Sequence, residues 1–219
     1  KYAIGEIVLV VIGILIALQI NNWNISKAEK KVEKEFITSL IEDLQTDSFR
    51  LSQNIDHFQS KIIKIDTVLR MFKILNKGYN DTLRRNLKEV KNYKDFIYTD
   101  RTMQQLKNSG GMRLITNKKA ANGILDYDLS MRHLLESLQP DLLFYYEKSN
   151  EMWFEIVDKD DFERDKLFLS ITEMEAGSKN YLLKSDKENL GKFNNIIREF
   201  QNDLIIVKDR KLLLKQKAN

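Results

Sequence analysis

The chain has no cysteine, one proline and eight glycines in 219 residues, and each scarcity removes a class of answers. Without Cys there is no disulfide framework, no thiol nucleophile and no thiolate metal site. That absence leaves the compartment open, because reducing and oxidising spaces both tolerate it. Pro140 is the single proline, and Gly5 and Gly13 fall inside one apolar run, so little interrupts the backbone and long helices are expected. Neither sign of charge prevails: 36 basic residues stand against 32 acidic ones, for a net charge of +4. So even a balance makes a mixed surface and argues against a nucleic-acid partner. His57 and His133 lie far apart and outside any HExxH spacing. The acidic run 158–165 places Phe162 and Glu163 where a calcium loop needs an oxygen ligand and a glycine, and reads as a solvated loop. Ser109-Gly110-Gly111 has no preceding strand and no GK[ST], so it reads as a helix stop. No metal, no cofactor and no catalytic constellation is expected, and the chain is read as a non-enzyme.

What is present begins with residues 2–24, YAIGEIVLVVIGILIALQINNWN. A run of ~20 apolar residues matches the ~30 Å hydrocarbon core of a bilayer. It exceeds the 7–15 apolar residues of a secretory signal and ends in Gln19-Ile20-Asn21-Asn22-Trp23 without a small-residue cleavage site, so it reads as a retained anchor. Tyr2 and Trp23 stand at its two ends, where interfacial aromatic rings belong. Glu6, Gly13 and Ala17 fall within ~40° of one another at 100° per residue. Small residues on one side permit close helix approach, and an ionisable group in or near a span raises a functional hypothesis. Three readings of Glu6 stand together: a helix-packing face, snorkelling to the interface or pairing with Lys1, and an ion path. The first residue, Lys1, is not Met, and an upstream segment is read as processed or left out.

No Gly or Pro occurs between Ile14 and Lys77, which lets the anchor helix run on through a charged collar, residues 25–36, into the soluble part. There Ile37, Ile41, Leu44, Ser48, Leu51, Ile55, Phe58, Ile62, Ile65, Leu69 and Phe72 alternate steps of four and three, the seam of a bundle or coiled coil. A second seam runs through Leu190, Phe193, Ile197, Phe200, Leu204 and Val207 to Lys211 and Leu214. Phe58 and Phe72 are bulky for a parallel dimer and favour a mixed core. Between the seams, Gly78 marks the end of the first helix, Asp81 or Thr82 caps a short helix through Val90, and Asp100 caps another over residues 101–108. Thr116 or Asn117 opens a broadly helical stretch that includes residues 124–157, with Pro140 in a first turn. Residues 166–171 fit a short strand or a short helix and are read as helix, because one isolated strand would have no partner. The rings of Phe144, Tyr145, Tyr146, Trp153 and Phe154 have helical spacing, read as core with a ligand groove as the other option.

The opening block, together with residues 102–127 (TMQQLKNSGGMRLITNKKAANGILDY), resembles an uncharacterised family of Bacteroidota single-pass membrane proteins, domain-of-unknown-function family 6090. The anchor carries the likeness closely and the soluble part more loosely. The resemblance implies a basic segment upstream of the anchor, hence a cytoplasmic N-terminus and a periplasmic bundle in the bacterial inner membrane. Lys27, Lys30, Lys31 and Lys34 follow the span and pull the other way, with Glu29, Glu33 and Glu35 interleaved. The family brings no activity with it.

The expectation is therefore an all-α protein: residues 1–24 a transmembrane anchor, 25–36 a charged juxtamembrane helix, 37–219 a soluble helical bundle closed by the C-terminal helix. Its expected partners are the lipid bilayer and either further copies of itself or a larger membrane complex. Two rival classes are an oligomeric channel with Glu6 near the pore and a periplasmic ligand sensor built on the aromatic cluster.

Overall fold

The computed structural model describes residues 2–73, 81–157 and 186–218, with side chains from Gly5 onward in the first stretch and from Asn86 onward in the second. The described residues are 90% helical and contain no strand. Six α-helices are described: α1 (Tyr2–Phe72), α2 (Asp81–Val90), α3 (Arg101–Asn108), α4 (Lys118–His133), α5 (Gln139–Ile156) and α6 (Lys187–Ala218). A 3-10 turn, Gly111–Leu114, separates α3 from α4, and a π-helical turn, Leu134–Leu138, joins α4 to α5. Pro140 sits in the first turn of α5, directly after the π-helical turn, where it removes one N–H from the helical ladder. The end expected for the first helix near Gly78, the acidic run 158–165 and the helix over 166–171 lie outside the described residues.

The chain divides into two compact units, residues 1–46 with 99–128, and residues 47–98 with 129–219. In the first, Leu40, Leu106 and Ile115 form a buried cluster on which Phe36, Ile37, Met112, Ala120, Ala121 and Ile124 pack. Gly110 takes φ +66° to end α3, a conformation that glycine adopts without steric cost. At Gly111 an added Cβ would meet Phe36 and Leu106 at 3.1 Å, so the missing side chain is what lets the turn close on α1.

In the second unit α6 runs antiparallel to the latter part of α1. Gln201 bonds the Ile62 carbonyl, Lys208 bonds Gln59 at 3.1 Å and Lys215 bonds Ser52 at 2.5 Å. Every expected seam position of α6 is buried, Lys211 included. On α1 the outcome is divided. Leu51, Phe58, Ile65, Leu69 and Phe72 are buried, but Leu44, Ile55 and Ile62 are half-buried, Ile37 is half-buried at the edge of the first unit's cluster, and Ile41 is 50% exposed. The inward column beside Leu51, Phe58, Ile65 and Phe72 is instead Leu40, Asp47, Asn54, Lys61 and Val68, one position earlier than the apolar spacing suggested. The column recurs every seven residues, so it is a heptad column in which polar side chains hold the inside.

Candidate functional site

The residues with the clearest outward chemistry are on the first part of α1. From Gly5 to Ala28 every side chain is exposed, including Ile7 through Ile20. The helix contains a window of mean hydropathy 1.9, none of which is buried. Uncovered aliphatic surface of this length costs ~25 cal/mol per Å² in water and costs nothing against lipid. Glu6 and Ala17 are exposed, and at Gly13 a Cβ would meet nothing within 4 Å, so the three share a face that no other described residue touches. Trp23 is 63% exposed with the Lys27 ammonium 5.2 Å from its ring centroid. The interfacial role expected of Tyr2 lies outside the described side chains.

Past Trp23 the collar makes the first tertiary contacts of α1. The Glu33 carboxylate accepts from the Thr116 N–H at 2.6 Å and its hydroxyl at 2.8 Å, and these bonds hold it below the usual carboxylate pKa. Glu29 pairs with Arg113 at 3.4 Å. About two turns beyond the collar, buried Asp43 accepts from the Thr102 N–H at 3.0 Å and from Arg101 at 2.7 Å. Asp100, which the sequence nominates as the cap of α3, makes no such bond and receives Gln104 instead. The cap therefore comes from a different helix. Asn117 does cap α4, accepting the Ala120 N–H at 3.1 Å, and Lys107 pairs with buried Asp128 at 2.6 Å.

The second unit holds a polar interior that apolar periodicity does not reveal. Residues 91–98 run without regular structure after α2, so their carbonyls need donors from elsewhere. Lys61 donates to Val90 O at 3.1 Å, Tyr146 to Lys91 O at 2.7 Å, Asn54 to Lys94 O at 3.0 Å and Arg50 to Ile97 O at 3.3 Å. Lys61 thus places its amine on the last carbonyl of α2, the end that favours a cation. Asn54 turns its other atom, Oδ1, to accept from Lys211. Rings enclose both amines: Phe200 lies 5.3 Å and Tyr146 5.8 Å from that of Lys61, Phe58 4.2 Å from that of Lys211. Burial pulls both lysines down to about 7, against smaller upward pulls from Glu89 on Lys61 and Asp95 on Lys211. The sequence signal was the polar residue every seventh position at Asp47, Asn54 and Lys61.

The aromatic cluster weighed as a ligand groove is split by this arrangement. Trp153 is buried and Tyr146 is tied to the irregular strap at Lys91, whereas Phe144 and Phe154 are half exposed. Among the described residues no group of three or more metal-ligating side chains comes together.

These features define an all-helical protein with one helix long and apolar enough to cross a membrane, by length and composition. Residues 6–110 match a family described as Family of unknown function (DUF6090), a stretch that takes in the apolar segment, the collar, Asp43 and the polar column. No curated protein and no solved structure matches the chain.

Proposed function

We propose that this protein is a membrane-anchored interaction protein without catalysis, held in the inner membrane of a bacterium of the Bacteroidota with its helical units in the periplasm. It would work as a homo-oligomer or as an accessory subunit of a larger membrane complex. The observation that carries the reading is the continuity of α1: an exposed apolar sleeve and the inner columns of both units belong to one 71-residue helix. The Gly13 and Ala17 face, bare of any neighbour, suits a second transmembrane helix.

The test uses the full chain. It should stay with membranes through alkaline carbonate washing and run as an oligomer by native mass spectrometry in mild detergent, with Gly13→Leu shifting it toward monomer. Release by carbonate would remove the anchor, and a monomer indifferent to Gly13→Leu would remove the self-association. Since the chain has no cysteine, a single Cys introduced at Asn24 reports orientation: labelling by an impermeant maleimide from the periplasmic side is expected, and labelling from the cytoplasmic side alone would reverse the topology.

A further inference from the structure

The collar looks mixed in sequence and is sorted in space. At 100° per residue, Glu29 and Glu33 fall within ~60° of Phe36 and Leu40, on the side of α1 that packs the first unit's core. Both carboxylates are engaged there, Glu29 by Arg113 and Glu33 by Thr116. Lys27, Lys30, Lys31 and Lys34 occupy the opposite side within an arc of ~100°, with Trp23 inside that arc. All four lysines are exposed. Glu35 alone among the collar acids stands near them, at the edge of the arc beside Lys31.

We propose that this lysine stripe binds the phosphodiester headgroups of anionic lipids in the leaflet that Trp23 enters. The inference rests on the anchoring reading and adds the lipid class. With Trp23 at the interface, Lys27 lies ~6 Å, Lys30 and Lys31 ~10–12 Å and Lys34 ~16 Å further along the helix. The headgroup layer is ~5–8 Å deep on each side, and long lysine stems reach back toward it. Lys27 therefore sits within the layer, Lys30 and Lys31 at its outer edge, and Lys34 within about one Debye length of it. Each lysine close to such a surface strengthens attachment to it about fivefold. The stripe is continuous with the apolar sleeve, so no further energy is needed to bring the two together. A second copy of the chain is a poor occupant, because four lysines facing four lysines repel.

The full-length protein is reconstituted by flotation into phosphatidylcholine vesicles containing phosphatidylglycerol, with bromine on the acyl chains of one lipid or the other at equal mole fraction. Quenching due to Trp23 is taken as the difference from Trp23→Phe. Brominated phosphatidylglycerol is expected to quench at least twice as strongly as brominated phosphatidylcholine. The ratio should fall to about one in the Lys27→Gln/Lys30→Gln/Lys31→Gln/Lys34→Gln variant and in molar salt, and stay unchanged in Lys118→Gln/Lys119→Gln. Protein that floats but gives equal quenching overturns the lipid inference alone. So does a ratio that survives the fourfold variant or falls equally in the double variant. Protein that does not float overturns the anchoring reading beneath it.

Discussion

The two units use α1 in opposite chemical senses. In the first, α1 presents acceptors: Asp43 takes the Thr102 N–H and Glu33 the Thr116 N–H. In the second, toward residues 90–98, it presents donors: Lys61, Asn54 and Arg50 serve the carbonyls of Val90, Lys94 and Ile97. What each neighbour leaves unpaired explains the difference. The start of a helix exposes N–H groups, whereas the end of a helix and an irregular strap expose C=O groups. The same helix is acidic toward one and basic or amide toward the other because burial leaves neither kind of orphan unanswered.

The contrast can be broken most severely at Asn54, which serves a carbonyl with one atom and Lys211 with the other. Asn54→Leu should cost about 3 kcal/mol in chemical denaturation, since it strands a buried amine, and should speed hydrogen exchange in residues 90–98 but not in 101–108. Next in size is a pH effect confined to the donor side. The unfolded chain keeps its lysine protons to about pH 10.4, while the folded chain has given up those of Lys61 and Lys211 above about 7. Between these values the unfolded state binds more protons, so stability rises with pH from about 7 to about 10 and does not change on this account below 7. A gain on the order of 2 kcal/mol for each of the two lysines from pH 7 to 9, abolished in Lys61→Met/Lys211→Met, is expected from denaturation midpoints. A flat profile in the native chain would show that the two amines stay charged when folded.

On the acceptor side, Asp43→Ala should cost about 2 kcal/mol through the lost charge-assisted bond to a buried N–H, with exchange faster across α3 and unchanged in residues 90–98. If both variants loosen both segments alike, the two halves of the comparison are one cooperative body. Gly111→Ala should cost about 1 kcal/mol as Phe36 and Leu106 give way, measurable as a lower melting temperature. Smallest of all, Gly13→Leu should change the stability of the detergent-solubilised helical units by less than about 0.5 kcal/mol, because nothing stands within 4 Å of a Cβ added there.

Much of this frame was legible from spacing. The seam of α6 reads off residue by residue because one face of that helix is apolar except at Lys211, and the eye follows the majority. The limits of α2 and α3 were signalled by Asp81, Asp100 and the two glycines after Ser109. On α1 the apolar pattern offered two columns, one buried from Leu51 to Phe72 and one mostly half-buried between Ile41 and Ile62. Ile55 and Ile62 are better hydrophobes than Asn54 and Lys61, yet the latter face inward because the end of α2 and the strap after it need donors and the apolar residues cannot supply them. A tertiary demand of this kind has no local trace beyond the sevenfold recurrence of polar residues. The cap of α3 escaped for the same reason: Asp43 is 59 residues away from the N–H it accepts. Of the outward-facing site, the sleeve and Trp23 were evident, whereas the sorting of the collar needed Glu29 and Glu33 to be seen engaged.

The polar column has a further consequence for α1 as a repeating object. A strictly apolar heptad would let the helix slide by seven residues against α6 and the strap with little loss. Here such a slip would set Asn54 against the Val90 carbonyl and Asp47 against Lys94, an acceptor facing an acceptor. Three unlike side chains at the same heptad position act as a key cut to one depth, fixing which stretch of α1 the second unit holds.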